Sequence, residues 1–262
     1  MSDEHKLYLK KKKQLKRLVL MTQIIIFVVF IALWEIASYY RLINPFLTSS
    51  PSNVIKTIIR LNTEGNLFNH IFVTTYETII SFILGTVIGL VIASLMWWNK
   101  FIAKVFNPYL TVINSLPKVA LGPILIIWTG ANMTSIVLMA LLISVIITII
   151  SVYHGFSNSD ENKIKLLKSF RATKWQIFIH LVLPSNMKTI SNALKINISM
   201  SLIGVIMGEL LVSKEGIGYL IMYGSQVFNL NLVMTGIILL CIVSFVMYYI
   251  IVIIEKKFIK YF

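Results

Sequence analysis

The 262-residue chain is 57% hydrophobic and only 13% charged, with a mean hydropathy of +0.84. Soluble domains carry about 25% charged residues, so this composition excludes an ordinary water-soluble enzyme and points to a chain built to sit in lipid. The formal net charge of +14 would suit nucleic acid, but its distribution along the chain argues for a topology signal instead.

Six apolar stretches approach or exceed the roughly 20 helical residues needed to cross a bilayer core: Leu18–Tyr40, Ile71–Trp98, Val105–Trp128, Met133–Tyr153, Ile190–Ser213 and Leu230–Ile254. The predicted fold is therefore an all-α, polytopic membrane protein with about six spans. A basic N-terminal segment, residues 1–17, precedes a single membrane domain, residues 18–262. That segment holds Lys6, Lys10 to Lys13, Lys16 and Arg17, and reads as a topology signal touching anionic lipid rather than a nucleic-acid arm. Lys100 and Lys104 follow the second stretch, Lys163 to Lys188 carry a basic run after the fourth, and Lys256, Lys257 and Lys260 follow the sixth. The alternate loops hold only Arg41, Lys56, Arg60 and Lys214. Cationic loops stay on the cytoplasmic side, which predicts a plasma-membrane protein with both termini in the cytoplasm. The first stretch is too long for the roughly 7–15 residue core of a cleaved signal peptide. Cys241 is the single cysteine, so a disulfide within the chain is impossible.

Between the first two stretches, Ser50 followed by Pro51 opens a short helix, with Ser as cap and Pro at the first position. Val54, Ile55, Ile58 and Ile59 are expected on one face, as in a helix lying along the membrane surface. In the second stretch Gly85 and Gly89, and in the fifth Gly204 and Gly208, form small-xxx-small faces that let helices approach. Packing inside one subunit is the favoured use of both. Pro108, Pro117 and Pro123 interrupt the third stretch. Broken helices at membrane depth are tolerated where protein or a watery path lines them, which makes Leu116, Pro117 and Lys118 candidate pathway residues. Lys118 is expected near the cytoplasmic mouth or in a protein-lined cavity.

Acidic residues inside the stretches are few: Glu35, Glu77 and Glu209. Glu35 and Glu77 lie near stretch ends, where reaching headgroups or water is the favoured reading. Glu209 lies deeper and fits either a role in the pathway or at a subunit interface, or a satisfied structural contact.

The segment from Asp160 to Pro184 is a Lys-rich interruption too densely charged for hydrocarbon. It sits within a predicted cytoplasmic loop of about residues 154–189 and reads as two short helices with a break. Thr173 followed by Gln176 fits a capping box, and Pro184 is expected to stop the second helix. A stiff elbow on one face suits a partner.

Energy-converting chemistry is missing. No phosphate-binding G-x-x-x-x-G-K-[ST] loop occurs, nor any Gly-Lys pair. His5, His70, His154 and His180 are scattered without metal-ligand spacing, so no metal, cofactor or catalytic group is expected. A self-sufficient ion-coupled carrier would want more convergent acidic residues, but topology alone leaves that class open.

Three blocks carry a resemblance. LPKVALGPILIIWTG from Leu116 to Gly130, RATKWQIFIHLVLPS from Arg171 to Ser185, and GVIMGELLVSKEGIGYLI from Gly204 to Ile221 occur in order. Together they resemble the membrane permease subunits of binding-protein-dependent ABC importers, of the nitrate/sulfonate/taurine type. The resemblance implies the type I importer permease fold and a pathway formed with a second permease copy, identical or homologous. It also implies separate cytoplasmic ATPase subunits and an extracytoplasmic solute-binding protein. The solute would be of the sulfonate, taurine, nitrate or vitamin-precursor kind. It places Lys165, Ser169, Phe170, Arg171, Ala172, Thr173 and Trp175 at the ATPase contact. Phe170 and Trp175 are then read as apolar anchors and Phe178 as internal packing, while Glu209, from its depth in the fifth stretch, stands as a candidate pathway residue beside Leu116, Pro117 and Lys118. Family members commonly open the loop motif with Glu-Ala-Ala and carry Gly six residues after that Glu. Here those positions hold Lys165, Leu166 and Leu167, with Arg171 in place of the Gly.

Overall fold

A computed structural model describes residues 3–259. Lys260 lies outside them, as does the side chain of Lys6. Every regular element among the described residues is helical: α1 (Asp3–Tyr39), α2 (Pro45–Thr48), α3 (Pro51–Thr63), α4 (Leu67–Trp98), α5 (Lys100–Ser115), α6 (Gly122–Thr129), α7 (Met133–Ser157), α8 (Glu161–Ser169), α9 (Lys174–Ile177), α10 (Leu183–Ser185), α11 (Met187–Val212), α12 (Ile217–Gln226) and α13 (Leu230–Ile259). Five of these are long and apolar enough to cross a membrane: α1 from Tyr8 onward, α4, α7, α11 and α13. α5 and the segment Lys118–Thr129 make a sixth if the pair, bent by 89°, counts as one broken span.

The third stretch breaks where its prolines predict, but through only one of them. Pro108 stays inside α5, Pro123 sits at the start of α6, and the bend falls at Leu116 and Pro117, followed by a tight helical turn over Lys118–Leu121. Pro123 costs nothing there, because the first turn of a helix has no intrahelical partner for its N–H anyway.

Helices α4, α7 and α11 form the core. Gly85 lies against Ser144 and Gly89 against Thr148, so α4 and α7 run in the same direction. Gly204 lies on the Ala140 backbone and Gly208 on Ile136, so α11 runs against them. Both glycine pairs thus pack inside one chain. A Cβ at any of these four positions would collide with the neighbouring helix, which ties the small residues to the close approach. The seam is also polar. Asn197 donates to the Thr86 hydroxyl at 2.8 Å and accepts from the Ser201 hydroxyl at 3.3 Å.

The charged Lys195 inside the fifth stretch is explained by α13. Its Nζ lies 2.6 Å from Glu255 Oε2, with the two side chains 20% and 17% exposed. Each charge offsets part of the other's desolvation penalty, and the pair joins α11 to the last span.

On α3, Ser50 caps the first turn, accepting from the Asn53 N–H at 3.2 Å, with Pro51 following as expected. The buried face differs from the expected one. Val54, Thr57 and Leu61 are buried and Ile58 is half-buried, whereas Ile55 and Ile59 point away. The inward face has i, i+3, i+7 spacing, and α3 packs it against α13. The Glu35 carboxylate, half-buried near the end of α1, accepts from the Ser52 N–H at 3.0 Å and from the Ser52 hydroxyl, joining α1 to α3.

Two ends of the bundle follow from these contacts. The elbow end holds α8–α10 and the last residues of α4 and α7. The far end holds α2, α3, α12 and the first residues of α4, α7 and α13.

Candidate functional site: the charged elbow and the far-end acidic cluster

The elbow is built by caps. The Asp160 carboxylate accepts from the N–H groups of Asn162 (2.9 Å) and Lys163 (3.3 Å) and opens α8. The helix ends in a two-bond wrap: the Ala172 N–H donates to Leu167 O at 3.0 Å and the Arg171 N–H to Lys168 O at 2.9 Å. This is a Schellman C-cap, whose turning residue must be left-handed and is usually glycine. Arg171 takes that role with φ of 59°. The predicted capping box follows at once, with Gln176 N–H donating to Thr173 Oγ1 at 3.3 Å and Thr173 N–H to Gln176 Oε1 at 2.7 Å. The two caps fix both sides of the break over three residues.

Pro184 does not stop the second helix. A wide π turn over Phe178–Val182 precedes it, then α10, Asn186 and α11 continue the helical path. A π turn changes the i→i−4 pairing ahead of the proline ring and absorbs its clash and its missing donor. The elbow is therefore joined to the core span α11 by almost continuous helix.

Its inner side is anchored. Phe178 is buried, with its ring centroid 5.1 Å from Trp97 and 5.5 Å from Phe156, which is the internal packing expected of it. Asn186 clips the two arms of the loop together, donating to Ser159 Oγ at 2.9 Å and to Val182 O at 2.8 Å. Lys174 Nζ donates to Trp98 O at 2.5 Å, tying α9 to the end of α4. The outer side is free of such contacts. Phe170 is 74% exposed at the tip beside exposed Lys165, Ser169, Arg171 and Thr173, with Ala172 half-buried. Trp175 is 59% exposed, yet its ring lies 5.9 Å from that of Trp98, so it both packs inward and shows a face.

The other candidates gather elsewhere. Leu116, Pro117 and Lys118 sit at the bend after α5, a helix of 16 residues that begins at the elbow end. Lys118 is thus one helix length, about 24 Å, from the elbow end, away from the first of the two places expected for it. It is half-buried, and its ammonium donates to Asn114 O at 3.1 Å and Asn114 Oδ1 at 3.3 Å.

Glu209 is only 1% exposed and fully engaged. One oxygen accepts from Thr74 Oγ1 at 2.7 Å, the other from the Gly218 N–H at 2.6 Å. Thr74 in turn accepts from the Ile217 N–H at 2.8 Å, and His70 Nδ1 accepts from the Gly216 N–H at 3.0 Å. Residues of α4 and α11 thereby satisfy the unpaired donors at the start of α12, where a carboxylate is favoured. Gly216, with φ of 100°, and Gly218 lie so close to this carboxylate that a Cβ on either would collide with it.

Glu77 departs from expectation. Helix α4 starts at Leu67, four residues ahead of the predicted Ile71, which draws Glu77 nearly three turns into the helix; it is 4% exposed. Its carboxyl lies within hydrogen-bond reach of Glu209, while its Oε2 is buried without a partner. It lines a far-end cavity of about 460 Å³ together with Phe72, Tyr76, Asn132, Lys214 and Glu215. His70, Thr74 and Glu77 went unread as a group, although their i, i+4, i+7 spacing in an apolar stretch marks one polar face.

Residues 85–260 match the family of binding-protein-dependent transport system inner membrane components. The chain is 30% identical over 194 residues to the formylaminopyrimidine transport permease protein ThiX of Halalkalibacterium halodurans, covering 74% of this chain and 76% of that one. It is 25% identical over 252 residues to the putative aliphatic sulfonates transport permease protein SsuC of Bacillus subtilis, covering 96% and 91%. With the taurine transport system permease protein TauC of Escherichia coli it shares 20% over 224 residues, covering 84% and 82%. A solved inward-facing MetNI methionine ABC transporter superimposes with a TM-score of 0.65 at 18% identity, covering 76% of this chain and 97% of that one, which shows the fold. The three sequence blocks, the helical topology and these matches agree, and the chain belongs to the binding-protein-dependent ABC transporter permeases, with its relatives in the sulfonate and taurine group.

Proposed function

We propose that this permease is the pathway-forming subunit of an ATP-driven importer in the plasma membrane, with ATP hydrolysed on a separate cytoplasmic subunit. The observation that carries this reading is the elbow: an exposed tip at Phe170 and Arg171, capped on both sides and joined rigidly to α11, α4 and α7. Such a part transmits force. Lys165, Ser169, Phe170, Arg171, Ala172, Thr173 and Trp175 form its contact with the ATPase. Phe170 acts as an aromatic anchor in a groove of that partner.

In this reading the elbow end and both termini face the cytoplasm, in agreement with the cationic loops. Residues 1–17 rest near anionic lipid ahead of the membrane domain of residues 18–262. A second copy of the chain completes the pathway, with Leu116, Pro117, Lys118 and Glu209 contributing to its wall or to its gating. An extracytoplasmic binding protein delivers the solute to the far end. The named relatives are transport permeases for aliphatic sulfonates, taurine and formylaminopyrimidine, which supports a small organic solute or anion of the sulfonate, taurine, nitrate or vitamin-precursor type.

The reading is tested by purifying the tagged chain from its own membranes in mild detergent, alongside the Phe170→Asp/Arg171→Asp variant. The wild-type chain should bring an ATPase subunit with it, and the variant should insert normally but lose that subunit. Equal ATPase recovery with the variant would remove the elbow from the contact.

A further inference from the structure

The far-end cavity has a chemistry of its own. Two of its walls are the exposed rings of Phe72 and Tyr76, stacked with centroids 5.9 Å apart and planes 13° from parallel. Another wall is Glu77, whose Oε2 is buried and unpartnered. A carboxylate oxygen left without a donor in a buried place is costly, and a donor arriving with a ligand would remove that cost.

The remaining polar groups do not favour an anion. Asn132 is already engaged: its Oδ1 accepts from the Thr134 and Ser135 N–H groups and its Nδ2 donates to Thr129 O. The Ser213 hydroxyl donates to Glu215 O. A sulfonate or carboxylate would find Lys214 and the Tyr76 hydroxyl to bind it, against the Glu215 side chain and the adjoining carboxyl groups of Glu77 and Glu209.

We propose that this cavity is a solute-contact site for a small flat ring carrying a cationic or amino donor edge, with Glu77 as its acceptor and the Tyr76–Phe72 pair as its stacking wall. This assignment rests on the importer reading and narrows its solute class toward ring amines and amidines and away from sulfonates. A ring of this kind gains from the π faces of the aromatics and from hydrogen bonds to the unpartnered Oε2 of Glu77.

The test uses two probes with the same ring and opposite charge: radiolabelled benzamidine and radiolabelled benzenesulfonate. Binding to the purified full-length chain, with whatever subunits accompany it, is measured by equilibrium dialysis. Benzamidine should bind saturably and benzenesulfonate should not. Glu77→Gln should weaken benzamidine binding by about tenfold to a hundredfold, the usual worth of a hydrogen bond to a charged group. Tyr76→Ala changes an exposed side chain, spares the core, and should weaken it by about tenfold through lost stacking. Binding of benzenesulfonate instead, no binding of benzamidine, or unchanged binding in Tyr76→Ala would overturn the assignment. ATPase recovered in the same preparation scores the importer reading separately. With the ATPase present and benzamidine unbound, the pocket assignment falls and the importer reading stands.

Discussion

The Ala172 N–H donates to Leu167 O across 3.0 Å, and this bond closes the elbow around Arg171, the residue held at φ of 59°. The left-handed conformation costs an L-residue roughly 1–2 kcal/mol more than it costs glycine. A turn that would suit glycine is thus made here by an arginine.

Arg171→Gly should therefore keep the elbow and stabilise it by about 0.4–1 kcal/mol, since relief of strain outweighs the extra freedom of the unfolded chain. Arg171→Val should destabilise it, because a β-branched residue tolerates positive φ least. Hydrogen exchange of the peptide spanning Phe170 to Gln176 reads both: slower by severalfold in the glycine variant, faster in the valine variant. Thr173→Ala removes the capping-box acceptor and should speed exchange in the same peptide, at a cost of about 1 kcal/mol.

At the far end, Glu209 and Gly218 are mutually fitted. Gly218→Ala places a methyl against the Glu209 side chain and should cost about 1–3 kcal/mol by overpacking. Glu209→Gln keeps the size but sets an amide where two acceptor oxygens were in use, costing about 1–3 kcal/mol. Both effects should appear as lowered thermal midpoints of the purified protein in mild detergent.

The Lys195–Glu255 pair offers a check on the α11–α13 contact. Lys195→Met leaves Glu255 without its partner and should destabilise by about 1–2 kcal/mol, less than a fully buried pair because both groups keep some exposure. Lys195→Met/Glu255→Leu should recover most of that loss. Thermal midpoints of the two variants, compared with the parent, measure it.

Orientation is tested by labelling. In a Cys241→Ser background, a cysteine at Ser157 near the elbow should be shielded from an impermeant outside reagent, and one at exposed Ser225 in α12 should react. The reverse pattern would invert the topology.

Much of this architecture was legible in the sequence where one local signal sufficed. The apolar stretches located the spans, Thr173 and Gln176 announced the capping box, and the two glycine pairs announced close helix packing inside the chain. The misses share a cause, which is dependence on partners far away in sequence. Pro184 reads as a stop because nothing local foretells the π turn that absorbs it. Glu77 reads as a surface carboxylate because the helix start at Leu67 lies outside the apolar run. The burial of Glu209 depends on Thr74 of α4 and on the Gly216–Gly218 turn. Lys195 makes sense only beside Glu255.

The central claim, that the elbow tip is the docking surface of a separate ATPase, is tested most directly by placing a photo-cross-linking residue at position 170. Irradiated in native membranes, it should give one dominant product joining this chain to an ATPase subunit, and the same residue at Tyr39 in the far half of α1 should not. A product that joins only copies of this chain, or equal ATPase capture from both positions, would contradict it.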